Sequence, residues 1–330
     1  MLLEFDADQQ LWQDTVRDAV AKQCPANLVR GVAENKVDAA PLWGSYVDQG
    51  WTELVDPENA VELAIVLEEL GRATDPTPYL ATVTQFAPLA GERYQPGLAG
   101  TALYSGITAH RATDGWVLSG TARYVLDGDR AEKFAVVTDG GTFVIDAAHA
   151  QVTRTEVFDP VLHVTDVTLA DMRVGQDDRV HTDAERAHHV ALMGISITTV
   201  GACQRALDLV LAHVRDRHQF GVPIGSFQAV QHKAVDMHVA IERARALAYF
   251  SALTISADDP RRRLAAAMAK AAAGECQSVV FRHGLQLFGG MGFTWENDVQ
   301  FALKRAKVGE LMLGGAAEHR AVIANEYRGL

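Results

Sequence analysis

The residues best suited to chemistry lie in two short segments, RHQFGVPIGSFQAVQ at Arg217–Gln231 and LQLFGGMGFTWE at Leu285–Glu296. The first joins a guanidinium fork (Arg217), an amide (Gln219) and an aromatic ring (Phe220) to a tight turn expected at Gly221-Val222-Pro223. The second sets Gln286 and Leu287 ahead of Gly289, Gly290 and Gly292. A fork of parallel N–H donors and bare glycine backbone both suit a diphosphate. A flat ring and a side-chain amide suit a heteroaromatic base. Together the segments read as a grip on a dinucleotide. They are not a Rossmann fingerprint, because FGGMGF lies between two helix-like runs with no hydrophobic strand ahead of it. Plainer roles compete: a helix N-cap turn at Phe220–Ser226, close helix packing at Gly289–Gly292, a core ring for Phe227, and for Gln228 a cap as readily as a cofactor contact. Trp295 and Glu296 are best explained as opening and capping a helix.

Such a grip needs rigid elements behind it. From Phe5 to Gln23 apolar residues such as Leu11, Val16 and Val20 recur at helical spacing, and a second helix is expected over Val61–Gly71 with Gly71 as its stop. From about Ala99 the runs TALYSG, GWVLSG, ARYVLDG, FAVVTDGG and TFVIDA, broken by glycine and aspartate, predict a small antiparallel β domain lasting to about Val180. After Asp183 the helical period returns in Ala184–Asp216, Phe227–Ser256, Arg261–Phe288 and Asp298–Tyr327, each long enough to pack side by side. The expected α+β chain therefore has an N-terminal helical domain (1–98), a β domain (99–182) and a C-terminal four-helix bundle (183–330).

At 330 residues and 48% hydrophobic content the chain can bury one large core or a few smaller ones. A formal net charge of -12, with no long Lys/Arg cluster, argues against nucleic acid as a partner. Cys24, Cys203 and Cys276 are far apart in sequence and lack C-x-x-C spacing, so neither a disulfide framework nor a metal site is expected, and the compartment reads as reducing. The start MLLEFDADQQLWQ carries acids where a signal peptide needs bases, and no apolar run reaches about 18 residues. The expectation is a cytoplasmic protein with no membrane association.

The two segments resemble the acyl-CoA dehydrogenase family, flavoproteins that desaturate acyl-CoA thioesters. The family pattern R-x-Q-F-G-x-P-I-x-x-F-Q-x-x-Q is met by Arg217, Gln219, Phe220, Gly221, Pro223, Ile224, Phe227, Gln228 and Gln231, and its Q-x-x-G-G-x-G by Gln286, Gly289, Gly290 and Gly292. The wording GFTWEND followed by ELMLGGAAEHR is similar to heteromeric members that break down sterols in bacteria. The resemblance implies FAD as cofactor, an acyl-CoA substrate and an electron-transferring flavoprotein-type acceptor. It also implies a cofactor lying at a subunit interface, with Arg217, Gln219, Phe220, Gln228, Gln286, Leu287, Gly289 and Gly290 holding its adenine and diphosphate end.

What the chain lacks is as informative. Desaturating a thioester needs a carboxylate to remove the proton beside the carbonyl. Most of the family carries that Glu in a Y-E-G-T segment, which corresponds here to Met312-Leu313-Gly314-Gly315, so Leu313 stands in its place. A minority carries it on the first long C-terminal helix, at the position of Ala191. Glu310 more simply pairs with Lys307, Glu318 and His319 flank the last helix, and His188 and His189 diverge on theirs. The family's T-E-P-x-x-G-S-D loop, which cups the flavin ring, is shortened to Leu103–Ile107, and its W-I-T segment is replaced by Tyr124-Val125-Leu126.

The implied role is a non-catalytic subunit of a heteromeric dehydrogenase. It would grip an FAD whose ring and base belong to a sister chain carrying the catalytic Glu, in a heterotetramer with two copies of each, on a bulky and steroid-like substrate. Two alternatives stay open: a catalytically dead acyl-CoA-binding or scaffold paralogue without flavin, and a self-sufficient homomer with an unrecognised base.

Overall fold

The structure, a computed structural model, describes residues 4–328. The chain packs as two compact units, each drawn from separated stretches: Met1–Val37, Pro57–Asp75 and Leu192–Leu330 form one, Asp38–Asp56 and Pro76–Ala191 the other. The stretch 1–98 thus contributes helices to both units.

The first unit is helical. Helix α1 (Ala7–Gln23) starts in a reciprocal capping box in which the Asp6 carboxylate accepts from the Gln9 backbone N–H at 2.9 Å. Helix α2 (Ala26–Ala33) follows. In the other unit lies α3 (Ala40–Asp48), and the chain then returns through α4 (Ala60–Ala73). Gly71 does not stop α4 as expected; the helix runs on to Ala73 and ends at Thr74 in left-handed backbone (φ 59°). Gly71 serves packing instead. A Cβ there would stand 2.3 Å from the Thr198 carbonyl oxygen, and one at Gly201 would stand 2.0 Å from that of Glu68, so α4 and α7 (Ala184–Asp216) meet backbone to backbone.

Beneath that contact the buried Glu68 carboxylate accepts from Arg245 Nε at 2.8 Å and from the Tyr249 hydroxyl at 2.9 Å. Both donors sit on α8 (Gln228–Ser256), and the pairing keeps a buried charge satisfied. Helix α7 is long and apolar enough to cross a membrane on composition, which the apolar-run criterion passed over, yet 83% of its most apolar window is buried as in a core helix. An alanine-rich helix, α9 (Arg262–Phe288), brings Cys276 to Cys203 of α7; their hydrogen bond and burial hold the Cys203 thiol well above its ordinary pKa. Asp298–Tyr327, expected as one helix, is two: α10 (Val299–Leu311) and α11 (Ala316–Arg328). The break falls where Leu313 and Gly314 take positive φ (51° and 92°), which no right-handed helix accommodates.

The second unit holds the β structure, preceded by α5 (Tyr79–Ala81) and α6 (Ala87–Ala90), which a wider helical turn at Thr82–Phe86 joins. One sheet is ordered β1 (Gly100–Leu103), β4 (Lys133–Thr138), β5 (Gly141–Asp146), β8 (Arg179–Val180). The other is ordered β2 (Ile107–Ala112), β3 (Gly115–Leu126), β7 (Val164–Val174), β6 (Gln151–Thr155). Their pairings are antiparallel as expected except β1 with β4, which is parallel because the β2–β3 hairpin intervenes as a crossover.

Side chains alternate across the first sheet. Phe134, Val136, Phe143 and Ile145 point into a core shared with Leu118, Val167 and Leu169 of the second, while Ala135 and Val144 face Phe86, Leu89 and Ala187. Burial on both faces explains why β4 and β5 read as unbroken apolar runs.

Candidate functional site

Seven of the eight expected grip residues are exposed, and all eight lie in the helical unit. Arg217 follows α7 directly; its backbone N–H caps the helix through the His213 carbonyl at 2.9 Å, and its own carbonyl accepts from Ile224 at 2.8 Å. Between them the chain makes a hairpin in which β9 (His218–Gln219) pairs with β10 (Val222–Pro223). The turn is therefore Phe220-Gly221, one residue earlier than expected, with φ of 54° and 79°. Positive φ at both central residues matches the twist of a two-residue hairpin, but a bulky residue pays a steric cost for it.

Phe220 is 92% exposed, and the edge of Phe227 approaches it with ring centroids 6.1 Å apart. No hydrogen bond or ion pair engages the Arg217 guanidinium among the described residues, and Gln228 opens α8 nearby. Phe227, expected as a core ring, is 38% exposed, and Val235 and Val239 continue an apolar face along α8 at 56% and 59%.

The second segment closes α9. The His213 ring stacks on Phe288 at 4.5 Å, which brings the last turn of α9 to the same end of α7 that carries Arg217. Burial, and after it the Arg217 charge, holds the His213 imidazole below its ordinary pKa. Gln286 is exposed, whereas the Leu287 side chain is buried and leaves only its backbone for any ligand. Gly289 takes φ 60°, ψ -143°, a conformation essentially restricted to glycine. A Cβ at Gly289 or Gly290 would meet nothing within 4 Å, while one at Gly292 would lie 3.0 Å from Phe288 Cβ. Helix packing thus accounts for Gly292 alone; the other two keep backbone open to solvent. Trp295 and Glu296 lie before α10 rather than inside it, and their carbonyls accept from Arg30 at 2.9 and 3.1 Å.

Neither base position offers a carboxylate. Ala191 is fully buried within α7. Leu313 sits in the break between α10 and α11, whose backbone is held firmly: the Lys270 ammonium donates to the carbonyls of Glu310 at 2.9 Å and Gly314 at 2.6 Å, and His319 Nε2 meets the Leu313 carbonyl at 2.8 Å. The neighbouring titratable groups are all committed. Glu310 pairs with Lys307 at 2.8 Å, and burial keeps the His319 imidazole below its ordinary pKa. Glu318 accepts from the Gly315 N–H at 3.4 Å.

Lys270, only 1% exposed, has its pKa lowered to about 8 by burial, against the raising influence of Glu310 and Glu318. Sequence reasoning passed over it. The signal was there: one lysine inside the run AAAMAKAAAG, where an amphipathic helix would place only small apolar residues.

In the β unit the ends of the expected flavin-ring loop, Leu103 and Ile107, are buried, while Ser105 and Gly106 between them are exposed. The Tyr104 hydroxyl is buried with no hydrogen-bond partner among the described residues, its pKa raised by burial. Tyr104 meets His188 edge to face at 5.7 Å, so His188 is a packing residue. Tyr124 stands 74% exposed at positive φ on a bulge of β3, while Val125 and Leu126 turn into the core. For FAD, then, the helical unit offers a fitting set: a free guanidinium, exposed amides, a projecting ring and open glycine backbone. In the β unit Leu126 puts buried hydrocarbon where the resemblance expects a hydroxyl, and Tyr124 is the exposed ring.

Comparison with known proteins identifies the family. Residues 184–327 match the C-terminal domain of acyl-CoA dehydrogenases. The chain is 33% identical over 322 residues to the acyl-CoA dehydrogenase IpdE2 of Mycolicibacterium smegmatis, an alignment covering 94% of this chain and 96% of that one. Among solved structures, the ChsE4-ChsE5 complex from Mycobacterium tuberculosis shares the fold with a TM-score of 0.89 at 23% identity, covering 100% of both chains. The Tcur3481-Tcur3483 steroid acyl-CoA dehydrogenase shares it with a TM-score of 0.82 at 24% identity over 96% of this chain and 97% of that one.

Proposed function

Because the chain belongs to the acyl-CoA dehydrogenase family, whose members depend on FAD, we propose that it is the non-catalytic subunit of a heteromeric dehydrogenase. The observation that carries this reading is a division within one chain. Leu313 and Ala191 put hydrocarbon at both base positions, while Arg217, Gln219, Phe220, Gln228, Gln286, Gly289 and Gly290 stand exposed and unoccupied by the chain's own side chains. A missing base costs about 10²–10⁴-fold in rate, so the proton is removed by a partner's carboxylate.

The residues of this chain bind and orient. The Arg217 fork and the Gly289–Gly290 backbone hold the diphosphate, and Phe220 with the amides of Gln219, Gln228 and Gln286 flanks the adenine end. When bound, FAD supplies the hydride acceptor. The apolar face of Phe220, Phe227, Val235 and Val239 gives the partner chain a surface to cover. The assembly is a heterotetramer with two copies of each chain, passing electrons to an electron-transferring flavoprotein. Its substrate is a bulky acyl-CoA of steroid type. The shared fold of a steroid dehydrogenase and of a two-chain complex supports both points.

Co-expression with a sister chain bearing the Glu tests the reading. The expected product is a yellow complex with about one flavin per two chains that oxidises acyl-CoA, beside an isolated chain that binds FAD poorly and does not turn over. A colourless complex would favour a scaffold, and an isolated chain with full flavin and full activity would overturn the proposal.

A further inference from the structure

A cleft of about 360 Å³ opens in the helical unit, walled by α1, α2, the end of α4, α7 and the start of α10. Its apolar wall includes Val20, Val29 and Phe301, each at least 95% buried. Three guanidinium groups, Arg17, Arg72 and Arg205, line it together with two carboxylates, Glu69 and Asp298.

Partners within the fold already account for most of this charge. Arg17 pairs with Glu69 at 2.8 Å, Arg72 with Asp208 at 2.8 Å, and Asp298 with Arg30 at 2.6 Å. Arg205 is the exception: among the described residues no carboxylate or acceptor engages it, although it is half-buried in a chain whose net charge is -12. An unmatched guanidinium facing a cleft in so acidic a protein is a place prepared for an anion from outside. One unmet positive charge calls for one negative charge. The apolar wall calls for a hydrocarbon tail, and the volume, near the lower end of the range of about 300–1,000 Å³ for ligand pockets, limits its length. Cys24 also lines the cleft, but burial raises its thiol pKa, so it is a protonated wall residue and not a nucleophile.

We propose that this cleft binds a small amphiphilic monoanion, a carboxylate or sulfate ester on a short aliphatic tail, with its head forked by Arg205 and its tail against Val20, Val29 and Phe301. The cleft shares no residue with the Arg217–Gln231 and Leu285–Gly290 segments, so the inference stands apart from the subunit role.

The test is titration calorimetry on the purified full chain, with any co-purifying partner left in place. The probes are octanoate, octyl sulfate and the uncharged methyl octanoate. At least one anion binds and the ester does not, and whichever anion binds more tightly identifies the head group. Arg205→Gln weakens that binding by about ten- to a hundredfold, and Arg205→Lys restores part of it. Ala21→Trp, at an exposed position on the rim, fills the cleft without entering the core and abolishes binding. Circular dichroism and flavin content stay as in the wild type in all three variants. The proposal fails if the ester binds as tightly as the anions, if Arg205→Gln binds like the wild type, or if neither anion binds at millimolar concentration.

Discussion

Two pairs of residues in the helical unit share a backbone conformation and nothing else. Phe220-Gly221 and Leu313-Gly314 each place a bulky side chain and then a glycine at positive φ, a conformation that costs the bulky residue about 1–2 kcal/mol. At Leu313 the cost is met from inside, by Lys270 on two carbonyls and His319 on a third. At Phe220 almost nothing meets it: a Cβ on Gly221 would touch no atom within 4 Å, and the ring projects into solvent. Strain that the fold braces is structural. Strain that it leaves unbraced on a projecting ring points to a support from another molecule.

The largest expected effect falls on the braced pair. Lys270→Met leaves the Glu310 and Gly314 carbonyls unsatisfied and lowers stability by about 2–3 kcal/mol, read from urea midpoints, with a wild-type-like midpoint refuting the brace. Because the folded Lys270 pKa is about 8 and its ordinary value 10.5, the unfolded chain binds the extra proton between those values. Wild-type stability should therefore carry a rising contribution from pH about 8 to about 10.5 that Lys270→Met lacks.

Next comes the unbraced side. Arg217→Ala removes a charge-assisted fork and should weaken FAD retention by the two-chain complex about ten- to a hundredfold in fluorescence titration, while the chain's own melting point stays put. A smaller change, Phe220→Gly, should stabilise the isolated chain by up to about 1 kcal/mol as the turn relaxes, yet loosen FAD in the complex; loss of stability would show that the ring supports its own fold. Smallest of all, Leu313→Glu should confer no turnover on the isolated chain, because the shortened Leu103–Ile107 loop and Leu126 still withhold polar contacts from the ring. Measurable dehydrogenation would mean that the base alone was missing.

Much of this contrast was legible in the sequence. The helix-strand-helix order, the long C-terminal helices and the Glu310–Lys307 pair follow from periodicity and i, i+3 spacing. The break at Leu313 did not, because apolar residues recur on both sides of it and only the Gly314-Gly315 dipeptide spoke against continuity. The hairpin at Arg217 hid because its strands are two residues each, too short for any alternation. Gly71 read as a stop because a local signal cannot distinguish a helix end from a helix contact. The meeting of Cys203 with Cys276, the cleft at Arg205 and the parallel β1–β4 pair depend on residues distant in sequence, which periodicity does not see.

The close approach of α4 and α7 leaves this protein an unusually narrow evolutionary choice. At residues 71 and 201 a single methyl group, the least that mutation can add there, would stand 2.3 and 2.0 Å from a carbonyl oxygen of the facing helix and wedge the two backbones apart. It would also pry at the carboxylate knot of Glu68 directly beneath. Variation in the chain is therefore free to remodel its surface and its clefts, but at these two places hydrogen has no substitute.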